Sequence, residues 1–141
     1  MYTKEQSWEL CLLALCAWRE ARDQGYLGML AVCWSIKNRA TNPNWWGGDY
    51  ESVIEKPWQY SSFNPTDPND KLLPGNPSKD AVWAAALQAA EMAYTGQVKD
   101  PTDGSTHYFN PTAVTVTPAW VTAPGTEFKI KIGAHSFYKA A

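Results

Sequence analysis

Cysteine is scarce and odd in number. The chain has three, Cys11, Cys16 and Cys33. An odd count argues against the closed disulfide framework of small secreted domains. All three lie in helical patterns among apolar residues, so buried, reduced thiols that activity does not need are expected. Metal-ligand spacing is also missing. There is no C-x-x-C or H-x-x-x-H pattern and there are only two histidines, so no metal or other cofactor is expected. No apolar run is long enough to span a bilayer, so stable membrane insertion is not expected. Leu10 to Trp18 is apolar, but it has no basic leader beyond Lys4 and no small-residue cleavage site. It reads as mature structure rather than a signal peptide, so cytoplasmic synthesis is expected. The net charge is −2, and no continuous basic stripe is present, which argues against a nucleic-acid partner.

Aromatics are what the chain has in excess, with eight Trp and seven Tyr in 141 residues. The length suits one domain with a real core, here residues 1–141, and a monomer is expected. Some aromatics must be core. Trp45, Trp46, Trp58 and Tyr60 instead sit among Gly, Pro, Asn and Ser, where loops are expected. Aromatics around a cleft suit sugar rings, whose C–H faces stack on them. Pinning the loops to the body is the equally open alternative.

Thr3 and Gln6 have capping-box spacing and open a helix from about Lys4 to Gln24, with Gly25 as its stop. A second helix is expected from about Leu27 to Ala40, with Met29, Val32, Cys33 and Ile36 on its apolar face. Gly28 near its start suggests close helix approach. A short helix is expected over Tyr50 to Lys56, and a long Pro-rich loop follows to Pro77. Ser78 is the expected cap of a helix from Lys79 to Thr95. Trp83, Leu87, Ala90 and Tyr94 share one of its faces, and Gly96 ends it. Thr106 to Phe109 and Ala113 to Thr117 read as short strands. Phe128, Ile130 and Ile132 alternate with lysines as a half-buried strand. Gly133-Ala134 forms a two-residue turn that returns the chain through His135 to Lys139. Helices first and a small antiparallel sheet after them make an α+β fold.

Glu20 is the most informative residue. Leu13 and Cys16 precede it by helical spacings, so a carboxylate falls on an apolar stripe. Desolvation and the nearby helix C-terminus both favour its protonated form. A protonated carboxyl at neutral pH is what a general acid requires. The alternative is an ion pair with Arg19 or Arg22.

Four segments carry a joint pattern: Trp18-Arg19-Glu20-Ala21-Arg22, Trp58-Gln59-Tyr60-Ser61-Ser62-Phe63, Asp100 to Asn110, and Ile132-Gly133-Ala134-His135-Ser136-Phe137-Tyr138. Together with Gly28 to Val32 and Asn38-Arg39, this pattern resembles the SleB-type cell-wall hydrolases. That family includes spore-cortex-lytic enzymes and related phage and bacterial peptidoglycan hydrolases. The resemblance runs from about Leu13 to Lys139. It implies a lysozyme-like fold, cleavage of the glycan strand of peptidoglycan, and Glu20 as the match to the family's catalytic glutamate. Asp23 stands where the family usually has Gly, and Asp103-Gly104 where it has Gly-Gly.

Glycan cleavage commonly uses two carboxyl groups. Asp23 reads as too close along the helix, and Asp49, Asp67, Asp100 and Asp103 sit in turn-like contexts. The resemblance suggests a solution with one carboxylate, lytic transglycosylation between N-acetylmuramic acid and N-acetylglucosamine. Gln59, Tyr60, Ser61, Thr106, His107 and Tyr108 are the candidates to bind N-acetyl groups or orient the sugar. For each the alternative is a loop-anchoring bond, and for His107 and His135 a structural place in a strand. A hydrolytic muramidase and a non-catalytic glycan-binding module remain open. An amidase or peptidase ranks last, because Cys33 has no evident partner. A Met start without a signal sequence or wall-binding module suits a phage endolysin.

Overall fold

The computed structural model describes residues 1–56 and 59–141. Helix α1 (Lys4–Ala21) opens with the expected capping box: Thr3 Oγ1 accepts from the Gln6 N–H at 3.1 Å, and Gln6 Oε1 accepts from the Thr3 N–H at 2.9 Å. It ends three residues before the expected Gln24. Gly25, expected as its stop, is instead the first residue of α2 (Gly25–Thr41), and its φ of +74° makes the sharp turn between the helices. A side chain at Gly28 would collide with Gln24 rather than with another helix. The small residue therefore makes room inside the α1–α2 junction, not at a helix–helix contact as expected. Helix α3 (Tyr50–Ile54) follows, two residues shorter than the expected span to Lys56.

Helix α4 (Ala81–Thr95) is capped by Asp80, whose carboxylate accepts from the Val82 and Trp83 N–H groups at 2.9 and 3.0 Å. Ser78, the expected cap, is held in the preceding turn by its bond to Asn76. The buried face of α4 is made of Ala86, Ala89, Ala90 and Ala93. Leu87, expected on the packing face, is exposed. Small side chains let α4 lie close against both α1 and α2, and Leu13, Cys16, Met29, Val32, Cys33, Ile36, Val53 and Ile54 complete this core. Cys16 and Cys33 are buried thiols, and burial pushes both above their ordinary pKa. Cys11 is exposed, contrary to expectation, because it shares the exposed side of α1 with Ser7 and Trp8.

The three strands β1 (His107–Phe109), β2 (Glu127–Ile132) and β3 (His135–Lys139) form an antiparallel sheet in the order β1-β3-β2. No strand forms over Ala113 to Thr117; that stretch is exposed loop. Gly133-Ala134 makes the expected turn, with Gly133 at φ +59° and Ile132 paired with His135. The Ala134 N–H donates to Gln24 Oε1 at 2.8 Å, which ties this turn to the α1–α2 junction. The register of β2 shifts between Phe128 and Ile130, so alternation breaks there. Phe128 is 57% exposed and meets Tyr138 in a T-shaped pair, while Ile132 is buried with Ala31 and Phe137. The architecture is α+β, with helices α1, α2 and α4 as one layer and the sheet docked on α2. No helix among the described residues is long and apolar enough to cross a membrane.

Candidate active site

Glu20 lies in the last turn of α1, half-buried. Its two oxygens are addressed separately. The Tyr108 hydroxyl donates to Oε1 at 2.9 Å, and the Ser62 N–H donates to Oε2 at 3.1 Å. Burial, then the adjacent Glu20 carboxylate, push the Tyr108 phenol well above its ordinary pKa, so it stays protonated and remains a donor.

The ion-pair alternative for Glu20 is not what the chain builds. Arg19 donates to backbone carbonyls of the 62–72 segment, and Arg22 donates to Asn69 Oδ1 while stacking on Trp18. Neither forms an ion pair with Glu20. Asp23 is exposed and does not line the cavity that Glu20 faces.

That cavity has a volume of about 400 Å³. Gln59, Tyr60 and Ser61 line it from the segment after α3, and Tyr108, Phe109 and Asn110 line it from β1 and the residue beyond. The two segments therefore meet at Glu20. Trp58, expected in a loop with Tyr60, lies outside the described residues. Glu20 is the one carboxylate side chain among the described lining residues. The other candidates are spent elsewhere. Asp49 caps α3 and Asp67 caps the 3-10 turn at Pro68–Lys71. Asp100 accepts from Thr102, Gly104 and Asn38. Asp103 stands at φ +52°, a left-handed position that Asp tolerates, and its exposed carboxylate lies near Lys129. Among the described residues no group of three His, Cys, Asp or Glu could hold a metal ion.

Two expected binding residues lie elsewhere. The Thr106 hydroxyl accepts from the Ala140 N–H at 3.0 Å and pairs with His107 Nδ1 at 2.9 Å. Thr106 lines a separate recess of about 450 Å³ beside Asn38, Asn42 and Trp46, which contains no carboxylate side chain. His107 packs among Trp45, Trp46 and Trp120, with ring centroids 5.0–6.1 Å away. Neither lines the Glu20 cavity. Burial, and secondarily Arg39, lower the His107 pKa to about 4, so the ring is neutral at pH 7. The unfolded chain binds that proton near pH 6.5. Stability should therefore be full above about pH 6.5 and fall as the pH drops toward about 4. Urea melts of wild type and His107→Phe across that range test this, and equal pH slopes would contradict it. Trp46 is buried under Arg39, and Trp45, half exposed, does not line the cavity either.

Three residues at the site were not among the catalytic or binding candidates read from the sequence. Arg39 is 4% exposed and lines the cavity. Its guanidinium donates to the Thr106 carbonyl and to Gln59 Oε1, within 6 Å of the rings of Trp45, Trp46 and Tyr60. Aromatic faces take the place of a carboxylate partner there. Its signal was Asn38-Arg39 in the joint pattern. His135 also lines the cavity, its ring tilted by 55° against that of Tyr108 at 4.9 Å, and burial lowers its pKa against the pull of Glu20 and Asp23. Ser62 contributes through its backbone, which leaves no trace in residue identity.

The chain is similar to known proteins over almost its whole length. Residues 23–138 match the model of the Cell Wall Hydrolase family. The spore cortex-lytic enzyme of Halalkalibacterium halodurans is 30% identical over 92% of this chain and 34% of its own length. That of Bacillus cereus is 33% identical over 93% of this chain and 44% of its own. The chain thus spans less than half the length of these curated relatives. The catalytic domain of the germination-specific lytic transglycosylase SleB from Bacillus anthracis superposes with a TM-score of 0.72 at 28% identity, covering 98% of this chain and 97% of that one. With the fold, the extent of the match and these relatives in agreement, the chain belongs to the cell wall hydrolase family.

Proposed function

We propose that this protein cleaves the glycan strand of peptidoglycan by lytic transglycosylation, with Glu20 as acid and then base, acting as a monomer on N-acetylmuramic acid–N-acetylglucosamine bonds. The observation that carries this is the solitary carboxylate. A direct-displacement hydrolase needs a second carboxyl group at a set distance, and no other described lining residue supplies one. The structural neighbour SleB is a lytic transglycosylase. In the reaction Glu20 gives its proton to the glycosidic oxygen as the bond to C1 breaks. The Glu20 carboxylate then takes the proton of the muramic acid C6 hydroxyl while that oxygen closes on C1. The product is a 1,6-anhydro sugar, no water is consumed, and Glu20 ends protonated as it began.

Product mass is the test. Purified peptidoglycan should yield muropeptides with anhydro ends, each one water lighter than a reducing end. Reducing ends alone would replace this reading with hydrolysis. No cleavage under any condition would favour a glycan-binding module.

Gln59 is assigned to the substrate. Its Oε1 is held by Arg39 Nη1 at 3.3 Å, and its amide N–H groups, without an acceptor among the described residues, can meet a sugar or acyl oxygen in the cavity. Gln59→Ala should lower turnover about tenfold, the worth of roughly one hydrogen bond made at the transition state, and leave the melting temperature nearly unchanged. A lower melting temperature with normal specific activity would make Gln59 a structural bond instead.

A further inference from the structure

We propose that Arg19 is a positioning residue that holds the Ser62 N–H on Glu20 and so sets the geometry of the acid; this rests on the Glu20 reading above. Consecutive residues of α1 grip the same residue from its two ends. Arg19 Nη1 donates to the Ser62 carbonyl at 3.2 Å, and the Ser62 N–H donates to Glu20 Oε2 at 3.1 Å. The guanidinium continues along the segment. Its Nη2 donates to the Asp70 carbonyl at 2.8 Å and its Nε to the Leu72 carbonyl at 3.1 Å, and the group lies 4.7 Å over the Phe63 ring.

The segment needs such a clamp. Between α3 and α4 its described residues form two 3-10 turns, Ser61–Phe63 and Pro68–Lys71, and neither joins the sheet. Tyr60 is buried in the core and Arg22 holds Asn69, but among the described residues Arg19 is the α1 side chain that bonds the Ser62 carbonyl itself. The acceptors on Arg19 are three backbone carbonyls rather than a carboxylate, which is a use of its planar fork that a lysine ammonium cannot copy at three separated points. Ser62 itself is 1% exposed, so its N–H has no access to water as a substitute partner. Removing the fork frees the peptide whose N–H meets Oε2. The acid then loses the donor that orients it, while Gln59 and Tyr108 still face the cavity. The expected signature is a loss in turnover with little loss in binding, since small misplacements of reacting groups cost rate steeply.

The experiment compares wild type with Arg19→Met, which keeps the aliphatic stem, and Arg19→Lys, which keeps the charge and one donor group. The rate of release of soluble glycan fragments is followed against substrate concentration, well below each variant's melting temperature. Arg19→Met should lower kcat roughly 10- to 100-fold with KM within about twofold of wild type, the scale for a displaced catalytic group. Arg19→Lys should fall between. Normal kcat in Arg19→Met, whatever its melting temperature, overturns the proposal. If Arg19→Met does not fold, Arg19→Lys decides alone: lowered kcat at unchanged KM supports the role, and unchanged kcat overturns it. Glu20→Gln is run beside them. If it cleaves at the wild-type rate, both readings fall; if it is inactive while Arg19→Met is normal, only this one does.

Discussion

Glu20→Gln should abolish glycan cleavage in a protein that still folds. Tyr108 and Ser62 each place a donor on one carboxylate oxygen. A glutamine of the same shape can accept from the Ser62 N–H and donate its NH₂ to the Tyr108 oxygen, because a phenol hydroxyl both gives and takes hydrogen bonds. The fold therefore loses little. The proposed chemistry loses its proton donor. General acid catalysis alone contributes about 10²–10⁴-fold, and in the proposed reaction the same side chain also takes the proton back. The measurement pairs turbidity loss of sensitised cells with a thermal melt. A variant that keeps more than about a tenth of the wild-type rate, a far smaller deficit than general acid catalysis implies, would remove Glu20 from the mechanism.

The largest loss of stability is expected from Arg39→Ala. The Arg39 side chain bridges α2 to the Thr106 carbonyl and to Gln59, and three aromatic rings surround its head. Truncation leaves the buried Thr106 carbonyl and the part-buried Gln59 Oε1 without their donor and opens a void among Trp45, Trp46 and Tyr60. Loss of charge-assisted bonds together with a cavity of that kind costs on the order of 3–4 kcal/mol. Urea titration should show this as a lower midpoint at an unchanged slope. Cleavage should fall as well, because Gln59 loses the contact that orients it. A change under about 1 kcal/mol, the size of an ordinary surface substitution or a single neutral bond, would show that the rings and the Gln59 segment stand without Arg39.

The legible parts of this chain are those governed by near neighbours. Thr3 and Gln6 announce α1 because a capping box is closed within four residues. Gly133-Ala134 announces its hairpin because a two-residue turn needs a positive φ at its first position. The misplaced boundaries have local competitors. Ser78 and Asp80 are both good caps two residues apart, and the bond from Ser78 to Asn76 leaves Asp80 to cap α4. Leu87 fits the helical period of α4, but the tight approach to α1 and α2 selects the alanine face instead. Phe128 and Ile130 follow a strand period that the irregularity between them breaks.

At the site, residue type by itself marked Glu20 as the candidate acid, because a carboxylate on an apolar helical stripe is costly unless it has work to do. The joint pattern of short segments likewise determined the family. Which groups touch Glu20 was decided only by the tertiary structure. Its donors come from 42 and 88 residues away along the chain, and one of them is a backbone N–H that any residue at position 62 except proline would supply. Neighbours in sequence separate for the same reason. Tyr108 reaches Glu20 while His107 enters a cluster of tryptophans, since successive side chains in a strand point to opposite faces. Arg19 and Arg22 turn from Glu20 to the segment folded against them, Arg19 because loop backbone carbonyls need donors and Arg22 because the Asn69 side-chain oxygen lies within reach.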